Sequence, residues 1–494
     1  MQPIFRCVEA WAKTSPDSIA VITGDLETTY RELWEQIQIA SAWYHHNGVE
    51  AADRVIISAD SRDQFYTAAY LGVHHARAIA VPTSFRASDD MIELRKKYVA
   101  SKLDLFGDNL AELRRTLASP PTKMRSKPFP STPELSDVAE IMFTTGSTGK
   151  PKAVTLTHAN IAASAELIRR FVGNGENDIE VVTIPLTHSF GLGRLRSTFL
   201  AGGTIVLVPG LTFPQLTIRA LHERCATGLA CVPAGMALLL SNCEEALREL
   251  AGQLKYLELG SAPMPLSSKI KLREILPHTR LCMHYGLTEA SRSTFLEFHS
   301  DRNHLDSVGK PSPGVEIAIM GETRRPMKIG RTGLIHVRAP TVMRGYWNDR
   351  DRSKQVLDHE SGWLNTGDLG CLDADGYVHL IGRADDVINT GGVNVVPDEI
   401  ESLAKDIVDV EDCGCVGVPD PDGILGEIPL LFVTSGNKEL DLGEISRNLV
   451  DQLGVEVPRI LVKLTSKLLR SNSGKLLRQE LRMMYENEQS ETET

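Results

Sequence analysis

The chain of 494 residues has no hydrophobic run long enough to cross a membrane and no excess of basic residues. Its 64 acidic residues outnumber its 53 basic ones, giving a formal net charge of −11. This balance argues against a nucleic-acid-binding protein, whose contact surface is basic. The start, "MQPIFRCVEAWAKTSPDS", lacks the basic segment followed by an apolar segment that marks a signal peptide. We therefore expect a cytoplasmic protein with no membrane span.

Cysteine is scarce, with eight residues scattered along the chain. Only Cys413 and Cys415 lie close together, and one residue between them places both on the same face of a strand. That spacing does not suit a zinc site. We expect the cysteines to be small buried residues in a reducing compartment.

The length indicates two or more domains. From about 20 to 300, short apolar runs alternate with helical segments, which predicts parallel sheets covered by helices. The expected strands include 178–184, 203–208, 228–233 and 254–259. From about 307 to 381 the helical segments thin out, which predicts a compact antiparallel, barrel-like unit. Residues 384–494 form a separate small α+β domain in this interpretation, and its acidic tail is expected to be frayed.

The stretch "MFTTGSTGKPKAV", residues 142–154, is a loop of small, hydroxyl-bearing and lysine residues. It lies between a predicted strand at 138–143 and a predicted helix at 158–172. Free backbone N–H groups, hydroxyl donors and lysines that converge between a strand and a helix bind phosphate. A plain surface turn is the alternative, because Gly, Ser and Thr are common in loops. A P-loop fits poorly, since Gly146 and Gly149 are too close for its glycine spacing.

The order Thr-Thr-Gly-Ser-Thr-Gly-Lys-Pro-Lys resembles the phosphate loop of the adenylate-forming superfamily, which includes acyl- and aryl-CoA synthetases, adenylation enzymes and luciferases. Further motifs follow in the superfamily's order, so the resemblance extends over essentially the whole chain to residue 475. They are "PLTHSFGLG", "LELGSAPMP", "MHYGLTEAS", "WLNTGDLG", "IGRADDVINTGGVNVVPDEIE" and "LLRSNSGKLLRQELR".

This resemblance implies an α/β fold with a large N-terminal domain of two helix-flanked sheets and a β-barrel-like subdomain, over residues 1–383. A small, mobile C-terminal α+β domain follows at 384–494. It also implies an ATP site. Asp368 would contact the ribose, Arg383 would make a second contact to the ribose or to a phosphate, and Tyr285 would present its ring face to adenine. The remaining nucleotide residues would be Thr144, Thr145, Gly146, Ser147, Thr148, Lys152, Gly260, Ser261 and Ala262.

The resemblance implies four catalytic residues. Thr288 would contact the α-phosphate, and Glu289 would bind Mg²⁺, which prefers carboxylate and phosphate oxygens. His188 would lie beside the reacting carboxylate, although a histidine after a strand is otherwise most often structural. Lys475 would be the catalytic lysine, although Leu469 replaces the proline that usually stands in its loop. For "TEAS" the alternative is a helix N-terminus capped by Thr288, and both interpretations can hold together.

The implied reaction joins a carboxylate to the α-phosphate of ATP, releases pyrophosphate, and passes the acyl group from the adenylate to a thiol. Asp385 takes the position of the domain hinge, and the turn at Gly391 and Gly392 lies on the thiol path. Coenzyme A and the phosphopantetheine arm of a carrier protein both remain open as the thiol. A P-loop NTPase, which makes ADP or phosphate instead of AMP and pyrophosphate, and a non-catalytic binding module are the competing hypotheses.

The motifs give less information about which carboxylic acid is the substrate. Phe190 is followed by Gly191, whereas amino-acid-activating relatives place an Asp after this Phe, so an α-amino acid is disfavoured. Arg194 and Arg292 lie near positions that line the acyl pocket in members of the superfamily. They could bind a second acidic group, and a surface role is equally compatible with the sequence. An aryl, short acyl or medium acyl acid remains open.

Overall fold

The computed structural model describes residues 1–120, 132–144, 152–209, 213–321, 325–390, 393–437, 439–453, 459–470 and 476–492, with side chains as far as Glu488. These residues form two compact units. The first comprises Met1–Ile317 and Val337–Leu364, and the second comprises Ala318–His336 and Asn365–Thr494. This division groups residues 365–383 with the C-terminal part of the chain, whereas the sequence predicts a boundary after Arg383.

Helices occupy much of the first unit. They are α1 (Ile4–Thr14), α2 (Tyr30–His46), α3 (Tyr66–His75), α4 (Asp89–Val99), α5 (Gly107–Ala118), α6 (His158–Val172), α7 (Ser189–Ala201), α8 (Pro214–Glu223), α9 (Pro233–Asn242), α10 (Glu244–Glu249), α11 (Leu266–Ile275) and α12 (Arg350–Val356). Some of these helices have capped ends. Thr29 and Thr157 close capping boxes at the starts of α2 and α6, and Gly173 ends α6 in the left-handed conformation.

The strands of the first unit, in chain order, are β1 (Ile19–Thr23), β2 (Leu26–Thr29), β3 (Arg54–Ser58), β4 (Ile79–Thr83), β5 (Leu103–Leu105), β6 (Val138–Thr144), β7 (Lys152–Thr157), β8 (Ile179–Val182), β9 (Thr204–Leu207), β10 (Gly228–Cys231), β11 (Tyr256–Leu259), β12 (Arg280–Tyr285), β13 (Thr294–Glu297) and β14 (Lys310–Pro311). The chain then continues through β15 (Glu316–Met320), β16 (Gly333–Arg338) and β17 (Gly345–Tyr346).

Two sheets organise this unit, as expected from the alternating pattern. One has the order β14-β13-β12-β11-β10-β8-β9-β1-β2, and the other has the order β17-β7-β6-β4-β3-β5. The strands from β12 to β9 run parallel, and so do β4, β3 and β5. Antiparallel strands complete the edges, among them β13 beside β12 and β7 beside β6. The parallel strands are buried and mostly apolar, as expected when helices cover both faces, although β8 and β11 carry the buried carboxylates Glu180 and Glu258.

Helix α7 is buried on all sides, and its glycines allow close packing. A Cβ added to Gly191 would lie 2.5 Å from the Pro185 carbonyl oxygen. A Cβ added to Gly193 would lie 2.8 Å from Nη1 of Arg292. Both distances are shorter than any ordinary carbon contact. A side chain at position 191 would collide with backbone, and one at position 193 would displace the Arg292 guanidinium. The glycines therefore let α7 bring Phe190 and Arg194 into the interior.

The second unit is built from short sheets. After β16 its elements are β18 (Leu364–Leu372), β19 (Val378–Arg383), β20 (Ile388–Thr390), β21 (Val393–Val395), α13 (Pro397–Ala404), β22 (Asp412–Pro419), β23 (Glu427–Thr434), α14 (Leu442–Leu453), β24 (Leu461–Leu464) and α15 (Arg478–Thr492). The sheets have the orders β15-β16-β18-β19, β20-β21 and β22-β23-β24. The first of these corresponds to the β-rich part expected at about 307–381.

Two expectations about this unit can be compared directly with the structure. Cys413 and Cys415 lie in one apolar cluster with Ile388 and Leu431, so the prediction that they share a face of a strand is confirmed. The acidic tail was expected to be frayed, which is wrong for most of its length, because α15 continues to Thr492. Ion pairs such as that between Arg482 and Glu486 stabilise this polar helix. Within the described residues, no helix combines the length and apolarity of a membrane span.

Candidate active site

The predicted adenine-binding residues lie at the carboxyl ends of two neighbouring strands in the nine-stranded sheet. Strands β11 and β12 are parallel neighbours, and Leu259 pairs with Met283. Their carboxyl ends therefore place Gly260 beside His284, the residue before Tyr285. A Cβ on Gly260 would fall 2.1 Å from the His284 ring, so only glycine fits there. Ser261 follows with a left-handed φ of 75°, and Ala262 continues this turn into α11.

Thr288 and Glu289 lie in a tight turn directly after β12. Leu287 and Ala290 exchange backbone hydrogen bonds of 3.0 and 3.2 Å across it. The alternative prediction of a helix N-terminus at "TEAS" is therefore wrong, because this reciprocal pairing closes a turn instead of opening a helix. The Glu289 carbonyl accepts from the Met343 N–H at 2.8 Å, which fixes the turn against the segment before β17.

Tyr346 connects Glu289 with the phosphate-loop strands. Its hydroxyl donates to Oε1 of Glu289 at 3.0 Å. The Lys152 ammonium lies 5.9 Å from the centre of the Tyr346 ring. Lys152 pairs with Thr144 in the β6–β7 ladder, and Tyr346 pairs with Val154 of the same strand β7. Tyr346 thus contacts both the Glu289 carboxylate and the Lys152 ammonium, next to the β6–β7 hairpin that carries the phosphate loop.

The central part of the loop, with Thr145, Gly146, Ser147 and Thr148, lies outside the described residues. Tyr346 was missed by the sequence analysis. Its motif "RGYWN" carries no local signal of nucleotide binding, because its contacts come from strand pairing with distant residues.

His188 occupies the position just before α7 and is half-buried. Burial lowers the pKa of His188, and the positive charge of Arg95 lowers it further. The Arg95 guanidinium lies over the ring of Phe143, 5.0 Å from its centre, one residue before Thr144. His188 is therefore a neutral imidazole near pH 7, able to donate or accept a hydrogen bond but not to carry a charge.

Arg194 and Arg292 are not surface residues, so that alternative is wrong. The side chain of Arg194 is completely buried, and that of Arg292 is 1% exposed. Arg194 forms a two-point contact with the carboxylate of Glu180, and its Nη1 lies 2.8 Å from Oε2 of Glu258. Nε of Arg292 lies 3.4 Å from Oε1 of Glu258. Buried charges need such partners because an unpaired charge inside a protein is strongly destabilised.

His284 adjoins both this cluster and the predicted acyl site. Its Nδ1 lies 2.7 Å from Oε1 of Glu258, and its ring meets Phe190 edge to face with centres 4.7 Å apart. Burial lowers the pKa of His284 to about 4, the charge of Arg292 adds to this, and Glu258 opposes it. His284 is therefore neutral, and it fills the space next to Gly260. The sequence analysis assigned no role to Glu180, Glu258 or His284, because residues within strands β8, β11 and β12 gave no signal of the contacts that they form with distant arginines.

In the second unit, Asp368 and Arg383 face each other across β18 and β19. Nη1 of Arg383 donates to Oδ1 of Asp368 at 2.7 Å and to the Thr366 carbonyl at 2.9 Å. Burial by itself would lower the pKa of Arg383, but the Asp368 carboxylate outweighs it, so this pKa is raised. The pair predicted to bind the ribose is thus preassembled.

The predicted hinge residue Asp385 lies in a short 3₁₀ turn, Ala384–Asp386, immediately after β19. Its neighbour Asp386 accepts from Nε of Arg478 at 3.2 Å, and Arg478 also donates to Asp398 at 3.0 Å. Arg478 opens α15, three residues after Lys475. Lys475, Gly391 and Gly392 themselves lie outside the described residues.

Comparison with known proteins agrees with this arrangement of motifs. The family model of the AMP-binding enzymes matches residues 8–347, more than half of the chain. This chain belongs to the AMP-binding enzyme family. Among its relatives is a feruloyl-CoA synthase of Amycolatopsis, 28% identical over 96% of this chain and 97% of the relative. A long-chain-fatty-acid–CoA ligase of Escherichia coli O157:H7 is 31% identical over 71% of this chain and 62% of the relative.

Solved structures of AMP-binding enzymes match over the full length. The ATP-bound MatB of Rhodopseudomonas palustris superimposes with a TM-score of 0.86 at 24% identity, over 98% of this chain and 99% of that one. The o-succinylbenzoate CoA synthetase MenE of Bacillus subtilis, solved with its acyl-adenylate intermediate, gives 0.84 at 25% identity, over 97% and 98%. The fold prediction is confirmed. The chain is an AMP-forming acid–thiol ligase, which activates a carboxylic acid as an acyl-adenylate and transfers it to a thiol.

Proposed function

We propose that this AMP-binding enzyme joins a carboxylic acid other than an α-amino acid to coenzyme A, in the cytoplasm. Curated relatives over the whole length, including the feruloyl-CoA synthase, are named as coenzyme A ligases, which supports coenzyme A over a carrier protein. The eight cysteines are free thiols, as suits a reducing compartment.

The chemical obstacle is electrostatic, because a carboxylate must approach a triphosphate. Two like unit charges 4 Å apart repel by about 1 kcal/mol in water and by about 4 kcal/mol at an effective dielectric constant near 20. The site must therefore provide positive charge and hydrogen-bond donors where water is excluded. Lys152, Lys475 and the hydroxyls of Thr144, Thr145, Ser147 and Thr148 are the donors that we assign to this role. Arg95, beside His188, adds a further positive charge.

The observation that carries the proposal is the contact of Tyr346 with both Glu289 and Lys152. Oε1 of Glu289 accepts from the tyrosine, which orients the carboxylate for a metal ion. The donor set suits Mg²⁺, which takes carboxylate and phosphate oxygens, and Glu289 would hold it with Thr288 nearby. When bound, Mg²⁺ neutralises phosphate charge. Lys152, on the other side of the ring, would contact the phosphates themselves.

Each remaining residue has a positioning role in the proposal. Tyr285, Gly260, Ser261 and Ala262 would hold the adenine, and Asp368 would accept from the ribose hydroxyls beside Arg383. Neutral His188 would donate to the substrate carboxylate without neutralising its nucleophilic charge. Lys475 would bridge the carboxylate and the α-phosphate.

Thioester formation needs a different approach to the adenylate. We propose that the small domain turns about Asp385 after adenylation, so that Lys475 withdraws and the turn at Gly391 and Gly392 borders the thiol path. Positioning and electrostatics carry both steps, since neither one requires a protein nucleophile.

Pyrophosphate exchange tests this proposal. The full-length protein, ATP and Mg²⁺ are incubated with labelled pyrophosphate and a panel of aryl, short acyl, medium acyl and α-amino acids. Label should enter ATP only when an acid is present, and the best acid should then yield a coenzyme A thioester and AMP. Formation of ADP, or exchange that is strongest with α-amino acids, would contradict the proposal. Replacing coenzyme A with a phosphopantetheinylated carrier protein separates the two possible acceptors.

A further inference from the structure

The interior beside Phe190 contains four charged side chains whose charges cancel. Arg194 contacts both oxygens of Glu180, and its Nη1 lies 2.8 Å from Glu258. Arg292 lies 3.4 Å from the other oxygen of Glu258. None of the four is more than 2% exposed. Two guanidinium groups thus face two carboxylates in a site closed to water.

The remaining N–H groups of Arg292 are also directed at the protein. Its Nη1 lies 3.2 Å from the Ser291 hydroxyl and 3.4 Å from the Ser189 carbonyl. Its Nη2 lies 3.3 Å from the Phe190 carbonyl, and its guanidinium lies over the Phe190 ring at 5.0 Å. Arg292 is thus enclosed by the start of α7 and by Glu258.

The groups around this cluster do not change its net charge. His284 touches Glu258 and Phe190, and it is neutral because burial disfavours its charged form. The nearby Arg196 is paired with Glu140, which also accepts from Tyr70 at 2.9 Å. Neither guanidinium next to Phe190 is therefore available for an additional anion.

We propose that Glu258 is a specificity-determining residue, which restricts the acyl pocket at Phe190 to acids whose acyl group carries no second negative charge. To pair with Arg292, a second substrate carboxylate would have to share that guanidinium with Glu258. Three buried carboxylates would then lie beside two guanidinium groups, which leaves one buried negative charge uncompensated. This inference rests on the proposed function, because it takes Phe190 to line the acyl pocket. It reverses the sequence-based hypothesis that Arg194 and Arg292 bind an acidic group of the substrate.

Matched pairs of acids test the inference in the full-length enzyme. Each pair has the same skeleton with and without a distal carboxylate: hexanoate and adipate, 4-methylbenzoate and terephthalate, and 3-phenylpropanoate and 3-(4-carboxyphenyl)propanoate. Pyrophosphate exchange gives kcat/KM for each acid. The neutral member of the best pair should be favoured by about 100-fold or more, because the extra charge would be buried without a partner.

Variants then test the role of Glu258. Glu258→Gln leaves a net positive charge beside Phe190, so the preference within a pair should shift by about 10-fold or more toward the dicarboxylate. The double variant Glu258→Gln/Arg292→Gln is neutral again and should restore the wild-type preference. Glu140→Gln is the matched control, since it removes a buried carboxylate from the neighbouring Arg196 pair and should leave the ratio unchanged. The ratio of kcat/KM for the two acids of one pair is unaffected by a loss of activity that is equal for both acids.

Thermal unfolding and ATP binding show whether each variant is folded. If Glu258→Gln does not fold, Arg292→Gln replaces it in the comparison. That variant has a net negative charge and should reject dicarboxylates more strongly than the neutral double variant does. A wild-type enzyme that prefers the dicarboxylate, or a ratio that Glu258→Gln leaves unchanged, would overturn the inference. Failure to activate any carboxylic acid in a broader panel would instead overturn the proposed function.

Discussion

Arg383 and Asp368 lie directly opposite each other on neighbouring antiparallel strands, with Nη1 of the arginine 2.7 Å from Oδ1 of the aspartate. A second contact, from the same Nη1 to the Thr366 carbonyl, holds the guanidinium in place. Asp368 is 4% exposed. The arginine orients a nearly buried carboxylate before any nucleotide binds, which is the arrangement that a selective acceptor for two ribose hydroxyls requires.

Asp368→Ala should weaken ATP binding, and Arg383→Ala should do so to a smaller extent. Loss of hydrogen bonds to a charged acceptor costs about 1–3 kcal/mol, so we expect Kd to rise by roughly 5- to 150-fold. Calorimetric titration with ATP measures this directly. Asp373→Ala is the control, because it removes a carboxylate from the same strand region, where it pairs with His379 at 3.0 Å. An unchanged Kd for Asp368→Ala would rule out the ribose assignment.

Tyr346→Phe should raise the Mg²⁺ concentration needed for pyrophosphate exchange by about 10- to 100-fold, because Glu289 loses the hydrogen bond that orients it. The aromatic ring remains, so the contact with Lys152 is kept. Glu289→Gln should have a larger effect. The control is Tyr98→Phe, which removes a hydroxyl that donates to the Trp347 carbonyl at 3.3 Å. If Tyr346→Phe shows the wild-type Mg²⁺ dependence, Tyr346 does not orient Glu289 for the metal ion, and an unchanged dependence in Glu289→Gln would exclude Glu289 as the metal ligand.

Lys475→Ala should reduce adenylate formation by about 10²- to 10³-fold, since a positive charge aimed at the reacting groups is lost from a water-excluded site. ATP affinity and thioester formation from synthetic adenylate should stay near the wild-type values. Lys467→Ala provides the comparison, because Lys467 is an exposed lysine shortly before the same loop. Wild-type pyrophosphate exchange in Lys475→Ala would exclude a catalytic role.

Asp385→Pro should separate the two half-reactions. Proline fixes φ near −65° and removes the N–H, so a residue that must change its backbone angles would be locked. We expect single-turnover pyrophosphate release to persist and thioester formation from supplied adenylate to fall. Asp385→Ala keeps the backbone free and should affect both steps little. Equal losses in both steps for Asp385→Pro would point to local damage and not to a hinge.

A bulky residue at Gly391 should narrow the thiol path and leave adenylation intact. The two half-reactions, measured in the same way for Gly391→Trp, provide an independent check on the domain rotation.

The stability of the fold should decrease as the pH falls from about 6.5 toward 5. Burial lowers the pKa of His158 and His284 to about 4, mainly by desolvation. Unfolding returns these imidazoles to their ordinary pKa near 6.5. The unfolded chain therefore binds more protons below that pH, which costs up to about 1.4 kcal/mol per pH unit for each histidine.

Urea denaturation at pH 7 and pH 5 measures this loss. The free energy of unfolding of His158→Gln should depend less steeply on pH than that of the wild type. The slope should fall by the contribution of one histidine, up to about 1.4 kcal/mol per pH unit. His278→Gln is the control, because His278 lies exposed in the turn after α11. An unchanged slope in His158→Gln would show that His158 is not held neutral in the fold.

The nucleotide motifs could be recognised from the sequence because each one is local. Gly260 directly follows strand β11, and Tyr285 is the last residue of β12. The carboxyl ends of parallel strands lie at the same side of a sheet, and this does not depend on the rest of the chain. The strand at 138–143 and the helix at 158–172 were predicted correctly for the same reason, because their hydrophobic periodicity lies within a short window. The expectation that the loop leads straight into this helix was wrong, since strand β7 lies between them and pairs with β6.

The partners of the charged residues could not be predicted in this way. Arg194 meets Glu258 across 64 residues of sequence, and Arg292 meets the same carboxylate across 34. No periodicity specifies which buried carboxylate lies beside which guanidinium, because that depends on how α7 packs against the sheet. The one available signal was that α7 lacks a polar face, which is typical of a helix buried all round.

The sequence by itself therefore determined the family, the order of the nucleotide-binding motifs and the general chemistry, since these depend on short segments with fixed local geometry. Only the tertiary structure decided that Tyr346 orients Glu289, that Asp368 and Arg383 form a preassembled pair, and that Glu258 neutralises the arginines beside Phe190. The physical reason is that the protonation and the interactions of a buried charged group depend on its neighbours. Those neighbours come from segments that are distant in sequence, so packing determines them.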